Sequence, residues 1–416
     1  MLFLHMFCPK TKNIFFTLLL LSLTSASAIA AHIAPPTKIS DKASIDISGY
    51  TQMLLQMGQE NASMKIGKPH SPEEGAYTRM GIRRGYLKLR AKYMDFSGES
   101  QFKATEKSVG IYTFFLKYAP RQLEGLSFTL GQAVVPFGAE LKVSSKERPT
   151  YERFEYNGDL FPGDVDLGLL MKYELSKSNR HINIFTLNAG LVKGNSSYGK
   201  HISLPDYVMD IAFGHKSDVM KRSYGLSGYY GYTAVADKEG NSYHARRAYL
   251  SSYIQYDIQT SEGDLSLLGE YVIGKQAGSV NSNKTNLQIG TDIQNGKDYK
   301  LVERPFHAAL LMSLYRLKSI PIELIARYEY YNRNSQLQHL LQEAQKKGTI
   351  GEINMLANGW SHKLLLGGNY FFFNNHLRLS LHYEINKRIA GYSTETEKPS
   401  YLQKDDLLTL GVQFSF

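Results

Sequence analysis

The chain has 416 residues, a formal net charge of +10 and a mean hydropathy of −0.31, and it is rich in tyrosine and glycine. Beyond the N-terminal segment there is no apolar run of about 20 residues, which excludes a helical membrane span there. High aromatic content combined with negative mean hydropathy is typical of strands that alternate between lipid-facing and water-facing residues.

Residues 1–30 predict a secretory signal peptide. Lys10 and Lys12 precede a short apolar run at 14–23, and small residues at 26–30 offer cleavage sites. The single cysteine, Cys8, lies in this segment, so disulfides and thiol chemistry are excluded from the mature chain. Removal of the two lysines lowers the formal charge from +10 to +8. A basic secreted protein could bind anionic lipid, sugar or nucleic acid, or could favour anions in a channel.

A polar stretch, 31–43, predicts a periplasmic linker, and sixteen amphipathic segments follow it. Each alternates between apolar and polar residues, as a β-strand with two different faces does. In the last segment Leu408, Leu410, Val412, Phe414 and Phe416 share one face, and uncharged polar residues and glycine occupy the other. The predicted strands are 44–57, 79–92, 98–107, 111–118, 125–134, 166–175, 181–192, 207–214, 223–232, 245–257, 264–273, 304–315, 322–331, 362–372, 376–386 and 406–416.

The connections between these segments alternate between short turns and mostly longer loops. An even number of strands near ten residues long, with short turns at one end and long loops at the other, is typical of outer-membrane barrels. Closure of the sheet would remove its edges, as lipid requires. We therefore predict the all-β class, with a transmembrane antiparallel β-barrel of 16 strands spanning residues 44–416, in which the last strand pairs with the first.

One long connection also predicts a helix. Leu337, Leu341 and Ala344 follow helical spacing, with Ser335 as a candidate N-terminal cap and Gly348 as the stop. We expect this helix to pack over the mouth of the barrel.

A series of short motifs runs through the chain in a fixed order. They are Ile-Ser-Gly-Tyr-Thr-Gln at 47–52, Arg-Met-Gly-Ile-Arg-Arg-Gly-Tyr-Leu-Lys-Leu at 79–89, Leu-Gly-Gln-Ala-Val-Val-Pro-Phe-Gly at 130–138, Glu-Arg-Pro-Thr-Tyr-Glu-Arg-Phe at 147–154, Asp-Val-Asp-Leu-Gly at 164–168, Thr-Leu-Asn-Ala-Gly-Leu-Val-Lys-Gly at 186–194, Leu-Ile-Ala-Arg-Tyr-Glu-Tyr at 324–330 and Leu-Gly-Gly-Asn-Tyr-Phe-Phe at 366–372. The series resembles the phosphate-selective porin O and P family over essentially the whole mature chain. The resemblance implies a homotrimeric porin in the outer membrane of a Gram-negative cell. It also implies that the third loop, here 136–165, folds into the lumen and narrows it.

Basic residues on the predicted strands are candidates for the lining of the pore. In strand 79–92, the register that sends Leu87 and Leu89 to lipid sends Arg84, Lys88 and Arg90 inward, and a cation facing lipid would be destabilising. A ladder of such cations would replace part of the hydration shell of an anion, although porin lumens of any selectivity carry charge. The basic candidates are Arg84, Lys88, Arg90, Lys92, Lys103, Lys107, Lys117, Lys172, Arg327 and Arg378.

The predicted constriction loop carries both signs of charge. Such a mixture would set up a transverse field and weaken a preference for anions. The constriction candidates are Glu140, Lys142, Lys146, Arg148, Glu152, Arg153 and Asp159.

The sequence thus predicts a passive channel for small hydrophilic solutes, with the anion or phosphate preference that the resemblance implies. Motifs of the types His-Glu-x-x-His and Gly-x-Ser-x-Gly are absent, so we expect no enzyme, cofactor or metal, and no nucleic-acid partner. His307 and His382 are expected to line the lumen rather than to bind a metal. The expected partners are membrane lipid, the solutes and further copies of the chain. A barrel-type outer-membrane enzyme and a loop-based adhesin or scaffold remain the alternatives.

Overall fold

The computed structural model describes residues 37–40, 42–67, 77–176, 183–194, 205–236, 242–279, 301–373, 375–393 and 398–416. The predicted signal peptide and the first part of the predicted linker lie outside the described residues.

Strands account for most of the described chain. They are β1 Thr37–Ser40, β2 Ala43–Gly58, β3 Tyr77–Tyr93, β4 Phe96–Ala104, β5 Val109–Tyr118, β6 Leu126–Val134, β7 Val165–Ser176, β8 Ile184–Val192, β9 Asp206–Lys216, β10 Met220–Ala236, β11 Ser242–Gln259, β12 Gly263–Ser279, β13 Leu301–Leu317, β14 Ile322–Asn332, β15 Trp360–Phe372, β16 Leu377–Ser393, β17 Lys398–Tyr401 and β18 Leu407–Ser415. Sixteen of them, β2 to β16 and β18, pair antiparallel with their neighbours. The short strands β1 and β17 pair antiparallel with the ends of β2 and β16, respectively.

The barrel closes through its first and last long strands, as the alternating pattern predicted. Leu410 pairs with Leu55, and Gln413 with Gln52, between β18 and β2. Each predicted segment overlaps one strand of the barrel, so the predicted 16-stranded antiparallel barrel is confirmed.

Several strands are longer than the ten residues expected. β12 and β13 stay paired up to Ser279 and Leu301. Near that end the neighbouring residues Lys275 and Glu303 carry charge and approach within 3.9 Å of each other. The pairing therefore continues beyond the apolar part of the barrel, because the backbone hydrogen bonds of a ladder do not depend on which side chains the strands carry.

The outer face of the barrel is apolar. Leu130, Leu226 and Leu311 leave 63%, 50% and 62% of their surface exposed there. On β18 the residues of the polar face, including Thr409, Gln413 and Ser415, are buried on the inside instead. Within the described part of the chain, no helix has both the length and the apolar character needed to cross a membrane.

The long connection after β14 contains the predicted helix. It comprises α2 Leu337–Lys347, a 3-10 turn Ile350–Glu352 and α3 Met355–Asn358, whereas α1 is the earlier helix Glu155–Leu160. The predicted stop is confirmed, because Gly348 ends α2 with a φ of 70°. The predicted cap is wrong: Gln336 precedes the helix without a side-chain cap, and the Ser335 hydroxyl donates to the Pro305 carbonyl at 3.3 Å.

Residues 135–164, between β6 and β7, lie inside the barrel; we call them the inner loop. Its apolar residues form one buried cluster with the inward residues of β8 to β14. The cluster consists of Val135, Phe137, Leu141, Phe154, Tyr156, Leu160, Phe161, Val192, Val208, Tyr229, Tyr249, Val272, Phe306, Ala308, Leu310 and Tyr331. One half of the barrel wall is therefore covered by a hydrophobic core rather than facing an open lumen.

This core explains the position of His307. On β13 the inward residues are Phe306, Ala308 and Leu310, so His307 lies on the outer face, stacked on the ring of Tyr271 with centroids 6.5 Å apart. The prediction that His307 lines the lumen is wrong, because the packing of the inner loop selects the apolar face of β13 for the inside. His382 does face inward and is 2% exposed.

Candidate functional site

Ion pairs attach the inner loop to the barrel wall on the side of the hydrophobic core. Glu140 accepts from the Arg327 guanidinium at 2.6 Å, and Arg327 also lies 2.7 Å from Glu329. Burial raises the pKa of Glu140, but the positive charges of Arg327 and Arg148 outweigh burial and hold that pKa below its ordinary value. The pair therefore carries full charge inside the barrel at neutral pH.

A second attachment lies on β9. The Lys142 ammonium donates to both carboxylate oxygens of Asp210, at 2.8 and 2.7 Å, and to the hydroxyl of Tyr253 at 2.8 Å. The hydroxyl of Ser227 donates to the same carboxylate at 2.7 Å. Asp210 is fully buried, and Lys142, which also lines the turn-end cavity, holds the loop to the wall through this contact.

The loop reaches across to the closing strands as well. The Arg378 guanidinium donates to the Arg148 carbonyl at 2.6 Å, and the Tyr151 hydroxyl donates to Ser380 at 3.1 Å. The Tyr151 ring lies against Gly411 of β18, where an added Cβ would come within 2.2 Å of the ring. A glycine is needed at this position because the loop packs directly on the backbone of β18.

A β-bulge in β3 forms the next attachment. Gln52 pairs with Arg84 and Met53 with Ile82, so Arg83 has no partner on β2. A bulge redirects side chains, and both arginines reach Glu152 of the inner loop, at 2.5 and 3.0 Å. Burial raises the pKa of Glu152, but the two guanidinium groups hold it well below its ordinary value.

Two cavities lie on either side of the inner loop. The larger, of about 430 Å³, opens toward the end of the barrel with the long loops, and we call it the loop-end cavity. The other, of about 350 Å³, lies toward the end with the short turns, and we call it the turn-end cavity. Arg153 lines both cavities.

The basic residues predicted on β3 lie along one inward face. Lys88 and Arg90 line the turn-end cavity and lie 3.8 and 2.7 Å from Glu99. Lys92 is exposed, two residues further along β3. The three cations thus follow one face of β3, and the Glu99 carboxylate lies between Lys88 and Arg90.

Three other predicted cations also line the cavities. Lys117 and Lys172 line the turn-end cavity, and Lys172 lies 2.5 Å from Glu174. Lys103 lines the loop-end cavity, with its ammonium 5.9 Å from the ring centre of Tyr112.

Three predicted cations are placed differently. Arg327 and Arg378 are 2% and 3% exposed under the inner loop and line neither of the two large cavities. Lys107 is not on a strand: β4 ends at Ala104, and the backbone N–H of Thr105 donates to the Ser108 carbonyl to close a tight turn. The predicted strand 98–107 is too long at this end, because a short polar turn continues the polar pattern of the strand.

The remaining candidates of the inner loop have separate roles. Arg148 is 1% exposed, and burial together with the nearby Arg153 lowers its pKa to about 9. Asp159 lines the loop-end cavity, 3.6 Å from Arg333. Lys146 accepts a hydrogen bond from Gln413 through its carbonyl at 3.0 Å, and it lines neither cavity.

Two residues of this site escape strict alternation. Arg83 and Tyr112 occupy bulges, in β3 and β5, and both join their neighbours on the inner face. The adjacent Arg83 and Arg84 did carry a signal, because one of two consecutive arginines on a regular strand would have to face lipid.

Neither a family model nor a curated protein matches the sequence. Solved structures do match the fold. The outer membrane channel DcaP of Acinetobacter baumannii is 14% identical, with a TM-score of 0.55 over 92% of this chain and 100% of that one. OprB of Pseudomonas putida is 10% identical, with a TM-score of 0.57 over 89% and 94%. Salmonella typhi OmpF, in complex with daunomycin, is 12% identical, with a TM-score of 0.53 over 90% and 98%. At these identities the likeness concerns the fold, which is that of outer-membrane barrels of this kind.

Proposed function

We propose that the protein is a porin, a passive diffusion channel for small hydrophilic solutes in the outer membrane of a Gram-negative cell. The observation that carries the proposal is a closed barrel with an apolar outer face that encloses two charged cavities, one on each side of the inner loop. The long loops would lie outside the cell and the short turns in the periplasm. The likeness in fold to DcaP, described as an outer membrane channel, supports the same function.

A preference for anions belongs to this proposal. Its support is the charge of the cavities, since six basic side chains and one acidic side chain line the turn-end cavity. Eight basic and five acidic side chains line the loop-end cavity. An excess of one sign in a confined space raises the local concentration of the opposite ion. Phosphate as the preferred anion rests on the sequence resemblance, and added phosphate should then reduce the chloride conductance.

Ion pairing limits how strong the preference becomes. In the turn-end cavity Lys88 and Arg90 share Glu99, and Lys142 is paired with Asp210. The net positive charge is therefore smaller than the number of cations, and we expect a moderate anion preference.

Planar-bilayer recording of the purified protein tests the proposal. We expect stepwise conductance increases and a reversal potential on the anion side in a salt gradient. A protein that inserts and gives no steps would contradict the channel. A cation-selective reversal potential would contradict the anion preference and leave the channel standing.

A homotrimer is also proposed, on the sequence resemblance. Chemical cross-linking of the protein in native membranes should give a ladder that ends at three chains. A single band of one chain, under conditions that cross-link a known trimer, would contradict it.

A further inference from the structure

The inner loop is held to the barrel wall on most sides. Its polar contacts reach β9 to β12, β14 to β16, and β18, β2 and β3. None of these contacts involves β4 to β7, which leaves that side of the barrel for a passage between the two cavities.

Arg153 stands in this passage. It lines both cavities, and none of the other residues that line one of them lines the other. Its guanidinium is ion-paired with Asp164 and donates to the carbonyls of Leu141 and Val143, at 3.2 and 3.0 Å. The side chain of Arg153 is 9% exposed.

The opposite wall approaches the loop at Tyr112, the residue at the bulge of β5. Tyr112 and Arg153 both line the turn-end cavity. The ring of Tyr112 contacts Tyr86 edge-on at 5.1 Å, and Tyr86 stacks on Tyr50 at 5.0 Å. The wall and the inner loop therefore approach each other at Tyr112 and Arg153, on the side of β5.

The backbone holds the partner carboxylate in place. Gly163 and Asp164 both have positive φ values, 85° and 68°, so the chain makes a left-handed turn at the end of the inner loop. Aspartate tolerates this conformation better than most residues. The turn returns the Asp164 carboxylate to Arg153, eleven positions earlier in the chain.

We propose that Arg153 determines both the width and the charge selectivity of the passage between the two cavities. This inference rests on the proposed porin function. A solute anion can take the place of Asp164 on the guanidinium, because a charge-assisted hydrogen bond to one carboxylate or oxyanion substitutes for another. A cation would have to displace the guanidinium from Asp164, and the carbonyls of Leu141 and Val143 hold that guanidinium in place. The cation also meets the guanidinium as a like charge. The Arg153–Asp164 pair thus closes the passage to cations and yields to anions.

The test compares Arg153→Ala, Arg153→Lys and Asp164→Asn in planar bilayers. Arg153→Ala joins the two cavities, so its single-channel conductance should rise and its reversal potential should move toward zero. Arg153→Lys keeps the charge without the planar fork, so anion preference should remain while the conductance rises less. Asp164→Asn frees the guanidinium, so anion preference should increase. Lys347→Ala, on the exposed face of α2, is the matched control and should behave as the wild type.

The outcomes separate this inference from the proposed function. A conducting wild type with an Arg153→Ala variant of unchanged conductance and selectivity would overturn the role of Arg153 alone. A silent wild type with a conducting Arg153→Ala variant would overturn the exchange of Asp164 for a solute anion, because the arginine would then close the passage to anions as well. Silence of both, with heat-modifiable migration on gels showing folded barrels, would overturn the porin function and this inference together.

Discussion

Arg83 and Arg84 are consecutive residues of β3, yet both guanidinium groups contact the same carboxylate, that of Glu152 on the inner loop. In a regular strand the two side chains would point to opposite faces of the sheet. The bulge at Arg83 brings both to the inside, and the loop supplies the charge that allows them to lie together. The bulge in β3 therefore helps to position the inner loop, through the contacts of Arg83 and Arg84 with Glu152.

Replacement of Glu152 by glutamine tests this coupling. The variant keeps the shape of the side chain and removes its charge, so two cations at the loop-end cavity lose their partner. We expect a reversal potential further to the anion side and a loss of about 1.5–3 kcal/mol in the free energy of unfolding, typical of a hydrogen bond to a charged group. Glu147→Gln, at an exposed position of the same loop, is the control. Equal reversal potentials for the two variants would contradict the assignment.

The Arg327 cluster should be the strongest of the loop attachments. Arg327→Met leaves Glu140 and Glu329 buried without their cation, and such a loss costs about 3–5 kcal/mol. We expect lower thermal stability in detergent and cleavage of the inner loop by proteases that do not cut the wild type. Lys347→Met, on the surface of α2, should change neither property. A resistant Arg327→Met loop would show that the hydrophobic core alone holds it.

Gly411 tests how closely the inner loop packs on β18. A Cβ at this position would come within 2.2 Å of the Tyr151 ring, so Gly411→Ala should displace the loop and increase current noise. Gly228→Ala is the matched control, because an added Cβ at Gly228 meets nothing within 4 Å. If both variants give the same quiet current, Tyr151 does not rest on β18 in the working channel.

Low pH should release the start of α1. Glu155 lies 2.5 Å from Arg333, and although burial opposes it, this cation lowers the pKa of Glu155 to about 2. The pKa of Glu155 is depressed in the folded state. The stabilisation of the fold by the Glu155–Arg333 pair is therefore complete above the ordinary pKa of about 4.3, and it is lost as the pH falls through about 2. Pepsin should therefore leave α1 intact at pH 4 and cut it near pH 2. Arg333→Gln should move the onset of cleavage to higher pH; an unchanged onset would contradict the pairing.

The alternation of apolar and polar residues was sufficient to predict the barrel. In each strand the sequence distinguishes an apolar face from a polar face, and residues 408–416 alternate between the two without exception. The strand ends were less predictable, as Lys107 illustrates, because a polar turn and a polar face look alike in sequence.

The interior could be predicted only in part. The alternation places Lys88 and Arg90 on the inside, where they line the turn-end cavity. It could not reveal that Arg327 is covered by the loop, because that depends on a contact between residues 187 positions apart. It also failed for His307, since the apolar face of β13 turns inward to meet the apolar residues of the inner loop. Polar faces of barrel strands usually point into the lumen. On β13 the apolar face points inward, because it packs against the apolar residues of the inner loop.

The proposed function requires that this barrel conducts and that its interior favours anions. The most direct measurement is the reversal potential of single channels of the wild-type protein in a salt gradient, repeated with Lys88, Arg90 and Lys117 neutralised together. We expect stepwise conductance with a reversal potential on the anion side, and a shift toward zero in the triple variant. A folded protein without conductance steps, or a cation-selective wild type, would contradict it.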